Sequence, residues 1–115
     1  MEQNEQREVR RIDARGTDYQ ALNACIRQAT ADVEIVGALG QRYLGDAMDS
    51  GTLTIRGTAG NALGAYLNGG RIVVYGNAQD AAGDTMNKGE IIVHGSVGDT
   101  VGYSMRGGCI YVRDS

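Results

Sequence analysis

The sequence repeats every 19 residues from Leu39 to Asp114. Four units follow one another without insertion or deletion: LGQRYLGDAMDSGTLTIRG, TAGNALGAYLNGGRIVVYG, NAQDAAGDTMNKGEIIVHG and SVGDTVGYSMRGGCIYVRD. Helical repeats need about 33 residues or more, so this unit is too short for them. Each unit ends in an alternating apolar run bounded by glycine or the end of the repeat, which is typical of a β-strand. The repeat therefore predicts an all-β solenoid whose equivalent strands stack in parallel about 4.8 Å apart.

Four aliphatic columns at the 19-residue spacing predict the core of this solenoid. Ladders of aliphatic side chains need no bulky aromatic residues, and the chain has no Phe and no Trp. Proline is also absent, as expected where nearly every strand must donate hydrogen bonds to a neighbour. The predicted inward columns are Leu53, Ile72, Ile91 and Ile110; Ile55, Val74, Val93 and Val112; Met48, Leu67, Met86 and Met105; and Leu44, Leu63, Ala82 and Val101.

The glycines recur in the same frame, and we expect them to serve the corners of each coil. Tight corners need either a positive φ or a close approach of two backbones, and glycine permits both. The stretch GTAGNALG, which starts at Gly57, lacks the Lys-Ser/Thr of a phosphate loop and the spacing of a dinucleotide fingerprint. The predicted structural glycines are Gly45, Gly51, Gly57, Gly60, Gly64, Gly70, Gly76, Gly83, Gly89, Gly95, Gly98, Gly102 and Gly108.

The N-terminal third lies outside the repeat and predicts a cap. Residues 1–7 are expected to be disordered, residues 8–37 to form a strand–helix–strand cap, and residues 38–115 to form the β-helix of four repeats. TDYQALNACIRQATAD predicts the helix, with Thr17 and Gln20 as a capping box. At the other end, CIYVRD is predicted to be an open edge, covered by a partner, by a second copy of the chain, or by sequence beyond this one.

Composition narrows the classes of function. A formal net charge of −3 provides no surplus of Lys and Arg for nucleic acid, and no apolar stretch approaches the roughly 20 residues of a membrane helix. The N-terminus carries no export signal, so we expect a cytoplasmic protein in which Cys25 and Cys109 are reduced.

No group of residues predicts a catalytic or metal site. His94, the single histidine, should point outward beside the inward Val93, and a catalytic role would need an orienting carboxylate. Cys109 is expected to be a surface residue without an evident base. Asp80, Asp84 and Asp99 are interpreted as turn residues, because the nine-residue calcium-binding pattern is absent.

One outward column predicts an interaction surface. Residues that alternate with the inward ladders should face solvent, yet this column and an adjacent tyrosine are mostly apolar or aromatic, which is typical of a contact surface. Either the N-terminal helix covers it through Leu22 and Ile26, or a partner chain does. The candidate interface residues are Thr54, Val73, Tyr75, Ile92 and Tyr111.

The Gly-xx-Gly-xxx-Gly spacing of GTAGNALG and GSVGDTVG resembles the C-terminal domain of the glutamate synthase large subunit. The stretches IDARGTDYQALNACIRQA, GQRYLGDAM and GNAQDAAGDTMNKGEIIVHG extend the resemblance from about Val9 onward. One subunit of the tungsten- and molybdenum-containing formylmethanofuran dehydrogenases carries a similar domain.

The resemblance implies a right-handed parallel β-helix with a structural role. In glutamate synthase, amidotransferase and flavin/iron–sulfur domains convert glutamine and 2-oxoglutarate into two glutamates, and the β-helix packs beside them. This chain has no N-terminal amidotransferase cysteine, no cysteine cluster and no barrel for FMN, so we expect no cofactor in it. FMN and iron–sulfur clusters are expected in partner chains of a glutamate synthase-like complex. The alternatives are a self-assembling scaffold or binding module, possible as a homo-oligomer through the C-terminal edge, and a solenoid acyltransferase.

Overall fold

A computed structural model describes residues 9–28 and 32–113. The predicted disorder of residues 1–7 falls outside this part of the chain. The described elements are β1 (Val9–Asp13), α1 (Tyr19–Gln28), β2 (Asp32–Gln41), β3 (Thr52–Ala59), β4 (Asn68–Tyr75), β5 (Lys88–Val93) and β6 (Cys109–Val112).

The six strands form one parallel sheet in chain order, as expected for a solenoid. Leu53 pairs with Ile72, and Ile72 pairs with Ile91, so the 19-residue step of the sequence is the step from one coil to the next. The predicted all-β solenoid is confirmed, with about five turns. That is one turn more than the four repeats, because strands β1 and β2, which precede the repeats, extend the sheet before β3.

The core runs along the inside of the coils as the aliphatic columns predicted. Leu53, Ile72 and Ile91 are buried, and the other inward columns are buried in the same way through the middle of the solenoid. In the coil that ends in β6, the inward side chains are partly exposed, and Val101 is 37% exposed. Among the described residues, the middle of the core is therefore closed by stacking, and the coil that ends in β6 is left partly uncovered.

Helix α1 closes the opposite end of the core. Leu22 and Ile26 are buried and belong to the interior core, so they do not lie on the outward columns of the sheet. The predicted capping box is wrong, because Asp18 is the N-cap: its Oδ1 accepts a hydrogen bond from the Ala21 amide at 2.9 Å. Buried Asn23 then fixes the helix to the solenoid through two hydrogen bonds with the backbone of the first repeat.

Hydrogen bonds between coils continue outside the strands, through the corner that precedes each strand. The Ala62 amide donates to the Asp80 carbonyl at 2.8 Å, toward the following coil, and the Gly64 amide donates to the Leu44 carbonyl at 2.8 Å, toward the preceding coil. With this alternation, two residues of each corner that are not glycine have a positive φ, between 55° and 62°. The residues are Tyr43, Ala47, Ala62, Tyr66, Ala81, Thr85, Thr100 and Ser104.

Candidate interaction surface

The predicted interface lies on the outward face of the sheet, where parallel pairing aligns its residues. Thr54 pairs with Val73, Val73 with Ile92, and Ile92 with Tyr111. The first three side chains are half-buried, and Tyr111 is 50% exposed. Because stacking on a sheet of 4.8 Å spacing brings these side chains together, they form a continuous, mostly apolar strip across β3 to β6.

A row of aromatic and cationic groups borders the strip. The Tyr75 and His94 rings stack at 4.8 Å between centroids with an interplanar angle of 5°. The Arg56 guanidinium lies 4.7 Å above the Tyr75 ring, within the range of a cation–π interaction. The predicted outward position of His94 is therefore observed, and its ring stacks on the Tyr75 ring.

An ion-pair network covers the same face toward the N-terminal strands. Buried Glu34 accepts hydrogen bonds from the Nε atoms of Arg11, at 2.9 Å, and of Arg56. The hydrogen bonds from Arg56 and then Arg11 hold the pKa of Glu34 below its ordinary value of 4.5. These two arginines neutralise a carboxylate that the sheet would otherwise bury without a partner.

The final strand contributes Cys109 and Tyr111 to the outward face. Cys109 is exposed, as predicted, and lies in the column of Glu90, whose carboxylate pairs with Arg71 at 2.9 Å. A hydrogen bond with the Cys109 thiol raises the pKa of Tyr111. Tyr111 thus adds an exposed aromatic ring at the C-terminal end of the face.

The structural glycines act in two ways. Gly60 lies beneath the preceding coil, where an added Cβ would collide with the Gly40 carbonyl oxygen. Gly64 has φ of 66° and faces the interior, where an added Cβ would lie 2.7 Å from Ile91 Cδ1. Since its neighbours Ala62 and Tyr66 also adopt positive φ, the space inside the coil, and not φ alone, demands glycine there.

Two of the predicted turn aspartates, Asp80 and Asp99, link successive coils. The Asp80 amide donates to Asn61 Oδ1 at 3.0 Å, and Asp80 Oδ1 accepts from the Asp99 amide at 2.8 Å. Asp84 instead accepts a hydrogen bond from the neighbouring Thr85 hydroxyl at 2.9 Å. Among residues 9–28 and 32–113, no group of three or more His, Cys, Asp or Glu side chains could hold a metal ion.

Sequence reasoning missed the pairing of Glu34 with Arg56 because Glu34 precedes the repeat. The signal that could have found it is the register of β2, where Val33 pairs with Leu53 and Glu34 with Thr54. If VEIV had been recognised as one more strand in register with the repeats, Glu34 would have been placed on the outward face beside the Arg56 side chain.

The chain was compared with known proteins. A model of the GXGXG motif family matches residues 6–115. Neither the curated proteins nor the solved structures contain a match. In the part of the chain that the structure describes, no helix has the length and apolar character to cross a membrane. The match spans nearly the whole sequence and agrees with the coiled architecture, so the chain belongs to the GXGXG motif family, whose repeat forms the C-terminal domain of the large glutamate synthase polypeptide.

Proposed function

We propose that this protein is a non-catalytic scaffold, a β-solenoid subunit or domain of a cytoplasmic glutamate synthase-like complex. The observation that carries the proposal is the family match over residues 6–115, joined to a solenoid built on the same glycine repeat. In this assignment the partner chains contain the amidotransferase, the FMN and the iron–sulfur clusters. They convert glutamine and 2-oxoglutarate into glutamate.

The described side chains support a packing role. The inward columns fill the solenoid, and on the outward face Glu34 pairs with Arg56 and Arg71 pairs with Glu90. What the face leaves exposed is the strip across β3 to β6, bordered by Tyr75 and His94. An apolar strip with aromatic and arginine residues at its margin has the composition of a protein–protein contact.

Affinity purification from the native organism tests the proposal. The tagged protein is expected to retain an amidotransferase and a flavoprotein, identified by mass spectrometry. Ile92→Asp, in the middle of the strip, should reduce their recovery at least tenfold, because it places a charge in a desolvated contact. Tyr66→Asp is the matched control, since Tyr66 is 54% exposed on a corner of another column. Recovery of neither partner by the wild-type protein would refute the assignment.

A further inference from the structure

We propose that the coil ending in β6 is a docking surface for a second copy of this chain, joined tail to tail about a two-fold axis through Tyr111. This inference does not depend on the proposed function. It rests on the hydrogen-bonding groups of the last described coil, on the closure of the opposite end, and on the register that β6 allows with itself.

The last described coil presents both hydrogen-bond donors and acceptors. In earlier coils the Ala62 and Tyr66 amides donate to carbonyls of the following coil, and the Ala81 and Thr85 amides do the same. The equivalent amides of the last coil have no acceptor, and the equivalent carbonyls have no donor, among the described residues. These groups are the Thr100 and Ser104 amides and the Val101 and Met105 carbonyls.

Partly exposed core side chains surround these groups. Val101 is 37% exposed, whereas Ala82, its equivalent one coil earlier, is fully buried. Met105 is likewise partly exposed, whereas Met86 is fully buried. Covering this surface would therefore remove apolar area from water and satisfy backbone groups at the same time.

At the opposite end of the solenoid, β1 is the other edge strand of the sheet, but the core itself is covered. Helix α1 covers it with Leu22 and Ile26. The Asn23 side chain donates to the Tyr43 carbonyl at 2.7 Å and accepts from the Gly45 amide at 2.9 Å. Stacking the last coil head to tail on the first repeat would have to displace this helix, so we infer that the uncovered C-terminal ends of two copies meet each other. A surface that meets its own copy generates a closed two-fold dimer.

The register follows from the backbone of β6. The outward residues His94 and Arg113 donate toward the preceding strand, to the carbonyls of Val74 and Val93. Because successive residues of a strand point their amides to opposite sides, Ile110 and Val112 present their N–H and C=O groups at the open edge. An antiparallel copy that keeps inward residues inward can pair Ile110 with Val112 of the second copy.

This register has complementary outward contacts. Tyr111 faces Tyr111 of the second copy across the axis, as an aromatic cross-strand pair. Arg113 of each copy lies opposite Cys109 of the other and extends the column of Arg71, Glu90 and Cys109. A cation is thereby added beyond Cys109, on the carboxylate side of the Arg71–Glu90 ion pair, and no like charge lies directly opposite it.

Sedimentation equilibrium tests association, and disulfide trapping tests the register. The 115-residue chain should sediment at twice its chain mass at about 100 μM. In a Cys25→Ser/Cys109→Ser background, Tyr111→Cys should cross-link within the dimer, since directly opposed Cα atoms of an antiparallel pair lie about 4.5–5.5 Å apart. Val73→Cys in that background is the matched control and should stay uncross-linked, because β4 lies two strands inside the edge.

Substitutions distant from the axis provide a second measurement. Val101→Asp should weaken dimerisation at least tenfold, since it introduces two like charges into one interface. Leu39→Asp, at a residue 74% exposed on β2, should leave the association constant unchanged. A monomer at 100 μM overturns the proposal. So does a dimer that cross-links through Val73→Cys as readily as through Tyr111→Cys, or one that Val101→Asp leaves intact.

Discussion

Replacing Gly64 with alanine tests why glycine occupies the inward column that Gly64 shares with Gly102. A Cβ on Gly64 would lie 2.7 Å from Ile91 Cδ1 and 3.2 Å from Ile72 Cδ1. Gly102 occupies the same column with nearly the same backbone, φ of 71° against 66°. Its nearest contact would be Met105 Sδ at 3.3 Å, because no further isoleucine lies above it in the described structure. The two positions therefore differ in space and hardly at all in conformation.

The expected losses of unfolding free energy separate the two effects. Alanine in the left-handed region costs about 1–2 kcal/mol at either site. Overpacking against a well-packed core adds about 1–3 kcal/mol, and only at Gly64. We therefore expect Gly64→Ala to lose about 2–5 kcal/mol and Gly102→Ala about 1–2 kcal/mol. A domain of this kind is stable by about 5–15 kcal/mol, so both variants should fold well enough for measurement.

Urea unfolding followed by circular dichroism measures both losses, provided that the denaturant slopes agree between variants. Ile91→Val removes the Cδ1 atom that the new methyl group meets, and alone should cost about 0.5–1.5 kcal/mol. In the Gly64→Ala/Ile91→Val double variant, we expect the two losses to be less than additive by about 1 kcal/mol or more. Equal losses at Gly64 and Gly102, together with additivity in the double variant, would show that backbone conformation alone selects glycine.

Three further predictions concern the ion pair, the corners and the helix. Because two arginines lower the pKa of Glu34, the stability that Glu34 contributes is complete above about pH 4.5 and is lost as the pH falls through the lowered pKa. Glu34→Gln should therefore reduce the fall of the urea midpoint at acid pH, and an unchanged fall would contradict this. Ala47→Gly, at an exposed residue with φ of 58°, should stabilise the fold by about 0.5–1 kcal/mol in thermal unfolding. Ala24→Gly, in the helix, should instead destabilise it by about 1 kcal/mol, and the same sign at both would refute the argument. Asn23→Ala leaves two backbone groups unpaired under α1 and should lower the free energy of unfolding by about 2–4 kcal/mol in urea.

The repeat was enough to predict the inside of the molecule, and the structure explains why. An inward residue such as Ile72 meets its equivalents Leu53 and Ile91 directly, so a common spacing in the sequence becomes a ladder in space. The corners were harder to predict. Ala62 and Tyr66 are not residue types that indicate positive φ, and they adopt it because the hydrogen bonds between coils require their amides to point toward the following coil.

The outward face shows where this solenoid differs from one coil to the next. Its inward columns contain one kind of side chain throughout, whereas Arg56, Tyr75, His94 and Arg113 share a single outward column and differ in charge, shape and hydrogen bonding. Stacking constrains the backbone and the interior of every coil, but it leaves the outward positions free to vary. A binding partner can therefore distinguish the coils by their outward residues. Substitutions of Tyr75 and Ile92 should alter binding without altering the fold, unlike substitutions of the glycines that identify the family.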